Sequence, residues 1–178
     1  MADAIRAVVM AALRRLWRSL ATLPSLAGWR FAAVAAGATL AAMAAVGFSG
    51  GLYSLGRPDM AGLPLRLVSV IFIPALGEEA GFRGLLIPDR SESSRPWIVI
   101  GLVTTLFTLW HVIETLFLPG AARVFLRPDF LACAAILGLG CALIRWRTSS
   151  IWPAVALHWL VVVVWQTFLG GPGLDALR

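Results

Sequence analysis

The chain contains no lysine: all 15 basic residues are arginine. It holds only two histidines, two cysteines, one tyrosine and 9 acidic residues in 178 positions. With 13% charged against 60% hydrophobic residues, and a mean hydropathy of +0.86, a soluble domain of this size is excluded. No basic cluster with interleaved stacking aromatics exists, so nucleic acid is not an expected partner. The net charge of +6 is read as membrane topology and contact with anionic lipid. Cys133 and Cys141 share one apolar run, which makes them small packing residues rather than a disulfide or a metal pair. No Cys-x-x-Cys, Gly-rich phosphate loop or His-Glu-x-x-His is present. Arginine without lysine, in an alanine-rich chain, points to a GC-rich coding sequence and hence to a bacterium.

What the chain does have is long apolar runs. These predict an all-α, polytopic membrane helix bundle of about five spans preceded by a basic amphipathic helix. In residues 1–30, Ile5, Val9, Leu13, Leu16 and Leu20 share one side of a helical wheel, opposite Arg14, Arg15 and Arg18. That pattern predicts a helix on the membrane surface, retained rather than cleaved as a signal peptide, since the apolar run from Phe31 is long enough to span. Residues 31–178 form the membrane-embedded core. Spans are expected at about Phe31–Phe48, Leu63–Leu86, Trp97–Leu118 (stopped by Pro119-Gly120), Pro128–Trp146 and Ser150–Leu169. Pro74 predicts a kink within the second.

The arginines set the orientation. With the N-terminus cytoplasmic, nine lie inside (Arg6, Arg14, Arg15, Arg18, Arg30, Arg90, Arg95, Arg145, Arg147) and five outside (Arg57, Arg66, Arg123, Arg127, Arg178). The expected location is therefore the bacterial inner membrane, multi-pass, with the N-terminus in the cytoplasm.

The stretch Leu76-Gly77-Glu78-Glu79-Ala80-Gly81-Phe82-Arg83 places two acids and an arginine within the second span. Ionisable groups at such depth are costly and usually functional, although groups at a helix end can also reach the headgroups. Glu79 and Arg83 are four apart and can pair. Glu78 is rotated roughly 140° from Arg83 at 3.6 residues per turn and is left to face something else. Both histidines lie inside spans, His111 in the third and His158 in the fifth. Glu78 and His158 fall roughly 10–12 Å from the inner surface and His111 somewhat deeper, so the three can converge. A carboxylate and a histidine sharing one water form a general-base pair, and a second histidine can stabilise an oxyanion. The same residue types also bind zinc or iron, and His111 with Glu114, three apart, adds to that reading. Glu114 is read first as orienting His111 or reaching the headgroups.

The order Glu78-Glu79-x-x-x-Arg83, then Phe107-x-x-x-His111, then His158 resembles the CPBP family, the CAAX-protease and bacteriocin-processing (Abi) membrane proteins. Arg147 to Pro153 resembles the approach to that family's last motif, and Gly138 and Gly140 stand where it has its glycine-containing motif. The likeness covers about residues 64–166. It implies a glutamate-type intramembrane endopeptidase in which Glu78 and His111 activate water, His158 stabilises the oxyanion, and Glu79, Arg83 and Phe107 support the site. It implies no obligatory metal or other cofactor, and as partners a protein or peptide substrate with a membrane-proximal or C-terminal tag segment, together with the lipid bilayer.

One position departs from the pattern. The family carries Asn or Asp four residues after the last histidine, and here that residue is Val162. Losing an oxyanion donor costs on the order of 10²–10³ in rate. Three readings of this position stay open: substitution by Gln166, a divergent subgroup with a different geometry, or a member that has lost catalysis. The alternatives to a protease are accordingly a non-catalytic membrane immunity or scaffold protein of the same fold, and a metal-dependent membrane enzyme using the same Glu/His cluster.

Overall fold

A computed structural model of the chain describes residues 1–92, 95–118, 120 and 122–173. Pro119 and Arg178, used above, lie outside the described residues. The described residues are helical without strands: α1 (Ala2–Ala21), α2 (Leu26–Gly50), α3 (Leu63–Val70), α4 (Pro96–Glu114), α5 (Ala122–Phe125), α6 (Pro128–Thr148) and α7 (Trp152–Phe168). Two wider-wound segments, π1 (Ile71–Leu76) and π2 (Glu79–Leu85), follow α3. This is the polytopic helical bundle expected. Among the described residues, α2, α4 and α6 are long and apolar enough to cross a membrane, and α7 is a shorter apolar helix.

Proline marks where helices begin. Pro64, Pro96, Pro128 and Pro153 occupy the first turns of α3, α4, α6 and α7, where a missing N–H costs nothing. Pro74 acts differently, because it lies inside a helical run. Ile73 before it is forced out of the helical region, to φ −135° and ψ 115°. Where a kink was expected, the second span is divided into α3 and two wide-turn segments, with Glu78 between the latter and Glu79 at the start of the second.

α6 is the central helix. More than half of its apolar window (56%) is buried, against 22% for α2 and for α4, and it packs on α2, α4, α7 and π2. Glycines permit these contacts. A Cβ on Gly140 would lie 2.2 Å from Thr39 Oγ1 of α2, and one on Gly138 would lie 3.0 Å from Phe107 Cδ1 of α4.

Two findings go beyond the expected spans. First, α2 begins at Leu26 rather than Phe31, with the Ser25 side chain accepting from Gly28 N–H at 3.2 Å. Second, the C-terminal half of α1 is packed into the bundle. Ser19 is fully buried, and Leu16 lies against Gly84 of π2. The carbonyls of Ser19 and Leu20, left without helical partners, accept from Ile151 N–H (3.1 Å) and Trp152 Nε1–H (2.9 Å). Arg15 pairs with Glu92 at 2.6 Å, while Asp89 takes both Arg18 (3.4 Å) and the fully buried Arg145 (3.1 Å). The rest of α1 leaves the apolar side chains of Ile5, Val9 and Leu13 exposed.

At the opposite end, residues 51–62 are tied to the end of α7. Ser54 N–H donates to Leu169 O at 3.1 Å and Asp59 N–H to Thr167 O at 3.0 Å. Arg66 donates to Thr167 Oγ1 and pairs with Asp59, holding that carboxyl below the usual carboxylate range.

Candidate active site

The acids sit where the second span is distorted. π2 turns Glu79 and Arg83 fully inward, and both side chains have no exposed surface. Their i,i+4 spacing gives an ion pair of 3.1 Å between Arg83 Nη1 and Glu79 Oε1, as the spacing predicts. Arg83 Nη2 also donates to the Gly138 carbonyl at 3.2 Å, and its guanidinium lies 4.0 Å from the Phe107 ring centroid. A charge at this depth needs all three partners.

His158 of α7 is 2% exposed, and its Nδ1 lies 2.9 Å from Glu79 Oε1. A carboxylate can only accept, so Nδ1 carries the proton and the ring is held by Glu79. The other nitrogen, Nε2, lies 3.9 Å from Glu78 Oε2. Spacing alone assigned Glu79 to Arg83; its second bond, to His158, joins helices distant in sequence and had no local signal.

His111 of α4 is 8% exposed, and its Nδ1 lies 3.0 Å from the Phe107 carbonyl. In the neutral ring this fixes the proton on Nδ1 and leaves a lone pair on Nε2. Aromatic rings fix the plane of His111, with centroids of Phe107, Phe125 and Phe130 at 4.9, 5.4 and 5.3 Å. Phe107 also meets His158 edge-on at 5.9 Å, so it separates and orients both imidazoles.

These groups surround a cavity of ≈ 160 Å³. Glu78, His111, Glu114, His158, Val162 and Gln166 all line it, with apolar walls that include Phe107, Phe130, Leu137 and Trp165. Glu79 and Arg83 stay behind the wall. Thus the expected division between the two glutamates is present in the geometry: one is neutralised and one faces the cavity. Glu114 departs from its first reading. Rather than only orienting His111 or reaching outward, it brings a donor atom within 4.8 Å of donors on Glu78 and His111. Gln166 is 6% exposed, its Oε1 has no hydrogen-bond partner, and it lines the cavity one helical turn beyond Val162.

An apolar helix bundle that encloses two glutamates and two histidines around a small cavity is a membrane protein with an internal site suited to general acid–base chemistry. More specifically, the chain belongs to the Rce1-like family of type II CAAX prenyl endopeptidases, whose family model matches residues 60–164. The matched region contains Glu78, Glu79, Arg83, Phe107, His111, Glu114, His158 and Val162, and stops short of Gln166. It is a family of membrane endopeptidases. No curated protein and no solved structure matches the chain significantly.

Proposed function

We propose that the chain is an intramembrane endopeptidase that hydrolyses a peptide bond of a membrane-associated protein or peptide, using a water activated by Glu78 and His111. The observation that carries this reading is the convergence of Glu78, His111 and His158 on one cavity, with Glu79 and Arg83 held behind it. In this scheme the water sits between the Glu78 carboxylate and the His111 Nε2 lone pair. Glu78 takes its proton as the oxygen adds to the scissile carbonyl. With His158 as the imidazolium, both ring nitrogens donate: Nε2, on the cavity side, to the developing oxyanion, and Nδ1 to Glu79, which keeps the ring oriented. As the C–N bond breaks, Glu78 returns the proton to the leaving amine. Gln166 supplies the donor that Val162 cannot. The scheme requires no metal.

The apolar walls favour an extended hydrophobic segment, such as a membrane-proximal or C-terminal tag of a substrate. The clustering of Arg15, Arg18 and Arg145 at one end of the bundle supports that end as cytoplasmic, in a bacterial inner membrane, with α1 as the interfacial element and residues 31–178 as the core.

The test compares protein termini in membranes of cells making the wild type or Glu78→Gln. New termini that depend on Glu78 and on His111, reproduced with purified protein and the identified substrate, are the expected result. Cleavage that survives Glu78→Gln or His111→Ala sinks the assignment. The non-catalytic reading, which Val162 at the cavity wall favours, expects a phenotype indifferent to Glu78→Gln but lost on disrupting the packing of Gly138 or Gly140.

A further inference from the structure

Glu114 has no part in the scheme above, yet it shares the cavity with the two groups that activate water. Donor atoms of Glu78, His111 and Glu114 all lie within 4.8 Å of one another. Ligands on a tetrahedral zinc with bonds of 2.0–2.1 Å are about 3.3 Å apart, so side-chain adjustments of about 1.5 Å or less would close the set. Three further features point to a cation. Glu78 Oε2 is buried with no hydrogen-bond partner. His111 is more than nine-tenths buried, and its Nδ1 is engaged by the Phe107 carbonyl, the arrangement by which metal-ligating histidines present Nε2. Charge compensation is sparse: Arg83 is committed to Glu79 and Gly138, Glu78 has His158 Nε2 at 3.9 Å, and among the described residues no ion pair involves Glu114. Two carboxylates facing each other across an apolar cavity are stabilised by a shared cation.

We infer that Glu78, His111 and Glu114 form a reversible binding site for a divalent cation of the zinc class, and that its occupancy withdraws Glu78 and His111 from water activation. One imidazole and two carboxylates suit zinc-like ions, whereas magnesium and calcium favour all-oxygen sets. The regulatory half of this inference rests on the proposed protease reading; the binding half does not. Glu114 is the determinant, since it is the ligand that the hydrolytic scheme leaves unused.

The experiment titrates tag-free protein in detergent micelles with Zn²⁺ against a chromophoric zinc indicator, with Mg²⁺ as the contrast. Wild type, Glu114→Gln and Glu114→His are compared after thermal unfolding has shown that each is folded. Wild type is expected to take up one equivalent of zinc in preference to magnesium. Affinity falls by about tenfold or more in Glu114→Gln and recovers in Glu114→His, which restores a ligand. A wild type that takes up no zinc, or Glu114→Gln that binds as tightly as wild type, overturns the site. In a second arm, cleavage is compared with and without zinc for each protein. Zinc is expected to suppress cleavage by the wild type, and less so by Glu114→Gln relative to its own zinc-free rate. Stimulation by zinc overturns the regulatory role. If zinc binds as expected but no cleavage occurs under any condition, the protease reading fails and the binding site stands.

Discussion

His158 and Glu79 are joined across 79 residues of sequence by a 2.9 Å contact between Nδ1 and Oε1, and the same carboxylate oxygen lies 3.1 Å from Arg83. One buried carboxylate thus fixes both the cation of its own helix and the imidazole of α7. The two adjacent glutamates are consequently unequal: Glu79 belongs to the framework, and Glu78 to the cavity.

That inequality predicts opposite outcomes for the same chemical change. Glu79→Gln leaves Arg83 buried without its counter-charge, a loss of about 3–5 kcal/mol for a broken buried pair. It also releases His158. Glu78→Gln removes a cavity-facing acid that has no arginine of its own, so folding is expected to be unimpaired while hydrolysis falls by about 10²–10⁴. Thermal unfolding in one detergent, alongside cleavage, checks this. Equal melting temperatures for the two variants would contradict the division.

Much of the framework was legible because hydrophobic length and proline position act locally. The expected start at Trp97 falls one residue from the observed Pro96, and Pro128 coincides. The Glu79–Arg83 pair follows from helical spacing alone. The N-terminal boundary of α2 was missed because Arg30 reads as an interface residue, while the Ser25 cap starts the helix a turn earlier. The docking of α1 was not legible either, since Ser19 and Leu16 meet partners near Gly84 and Ile151 that only the folded bundle supplies. Glu114 is the most consequential case. Its spacing to His111 was visible, but its approach to Glu78 depends on how the chain breaks at Ile73 and how α4 ends, and neither is encoded in a spacing.

The contact of α2 with α6 predicts a stability effect remote from the site. A Cβ on Gly140 would meet Thr39 Oγ1, Cγ2 and Cβ at 2.2, 3.0 and 3.2 Å, so rotating the threonine does not make room. Gly140→Ala must separate the helices, at a cost of about 1–3 kcal/mol typical of overpacking. A lowered melting temperature is expected, with partial recovery in the double variant Gly140→Ala/Thr39→Ala. Absence of recovery would show that the two residues are not the contact that matters.

The two ion pairs of Asp89, to Arg145 of α6 and to Arg18 of α1, should contribute unequally. Arg145 is fully buried and depends on Asp89, whereas the Arg18 side chain is 62% exposed. Asp89→Asn is expected to destabilise by about 3–5 kcal/mol, because it leaves Arg145 without a counter-charge. Arg18→Ala removes an exposed, salt-screened pair and should change stability by about 1 kcal/mol or less. Denaturation at low and high salt separates them: only the Arg18 contribution should fade with ionic strength.

The last prediction concerns the wall of the cavity beyond His158. Val162 and Gln166 both line it, one turn apart, and the Gln166 carboxamide is buried with its oxygen unpaired. If Gln166 supplies an oxyanion donor, Gln166→Leu removes it and should lower kcat by about 10²–10³ with little change in KM, as losses of interactions made only in the transition state do. Val162→Asn places a carboxamide one turn nearer His158, and in the Gln166→Leu background it should restore a substantial part of the rate. Steady-state kinetics on a substrate identified from the membrane termini measures both. A Gln166→Leu protein with unchanged kcat would show that His158 alone meets the oxyanion, and would remove Gln166 from the site.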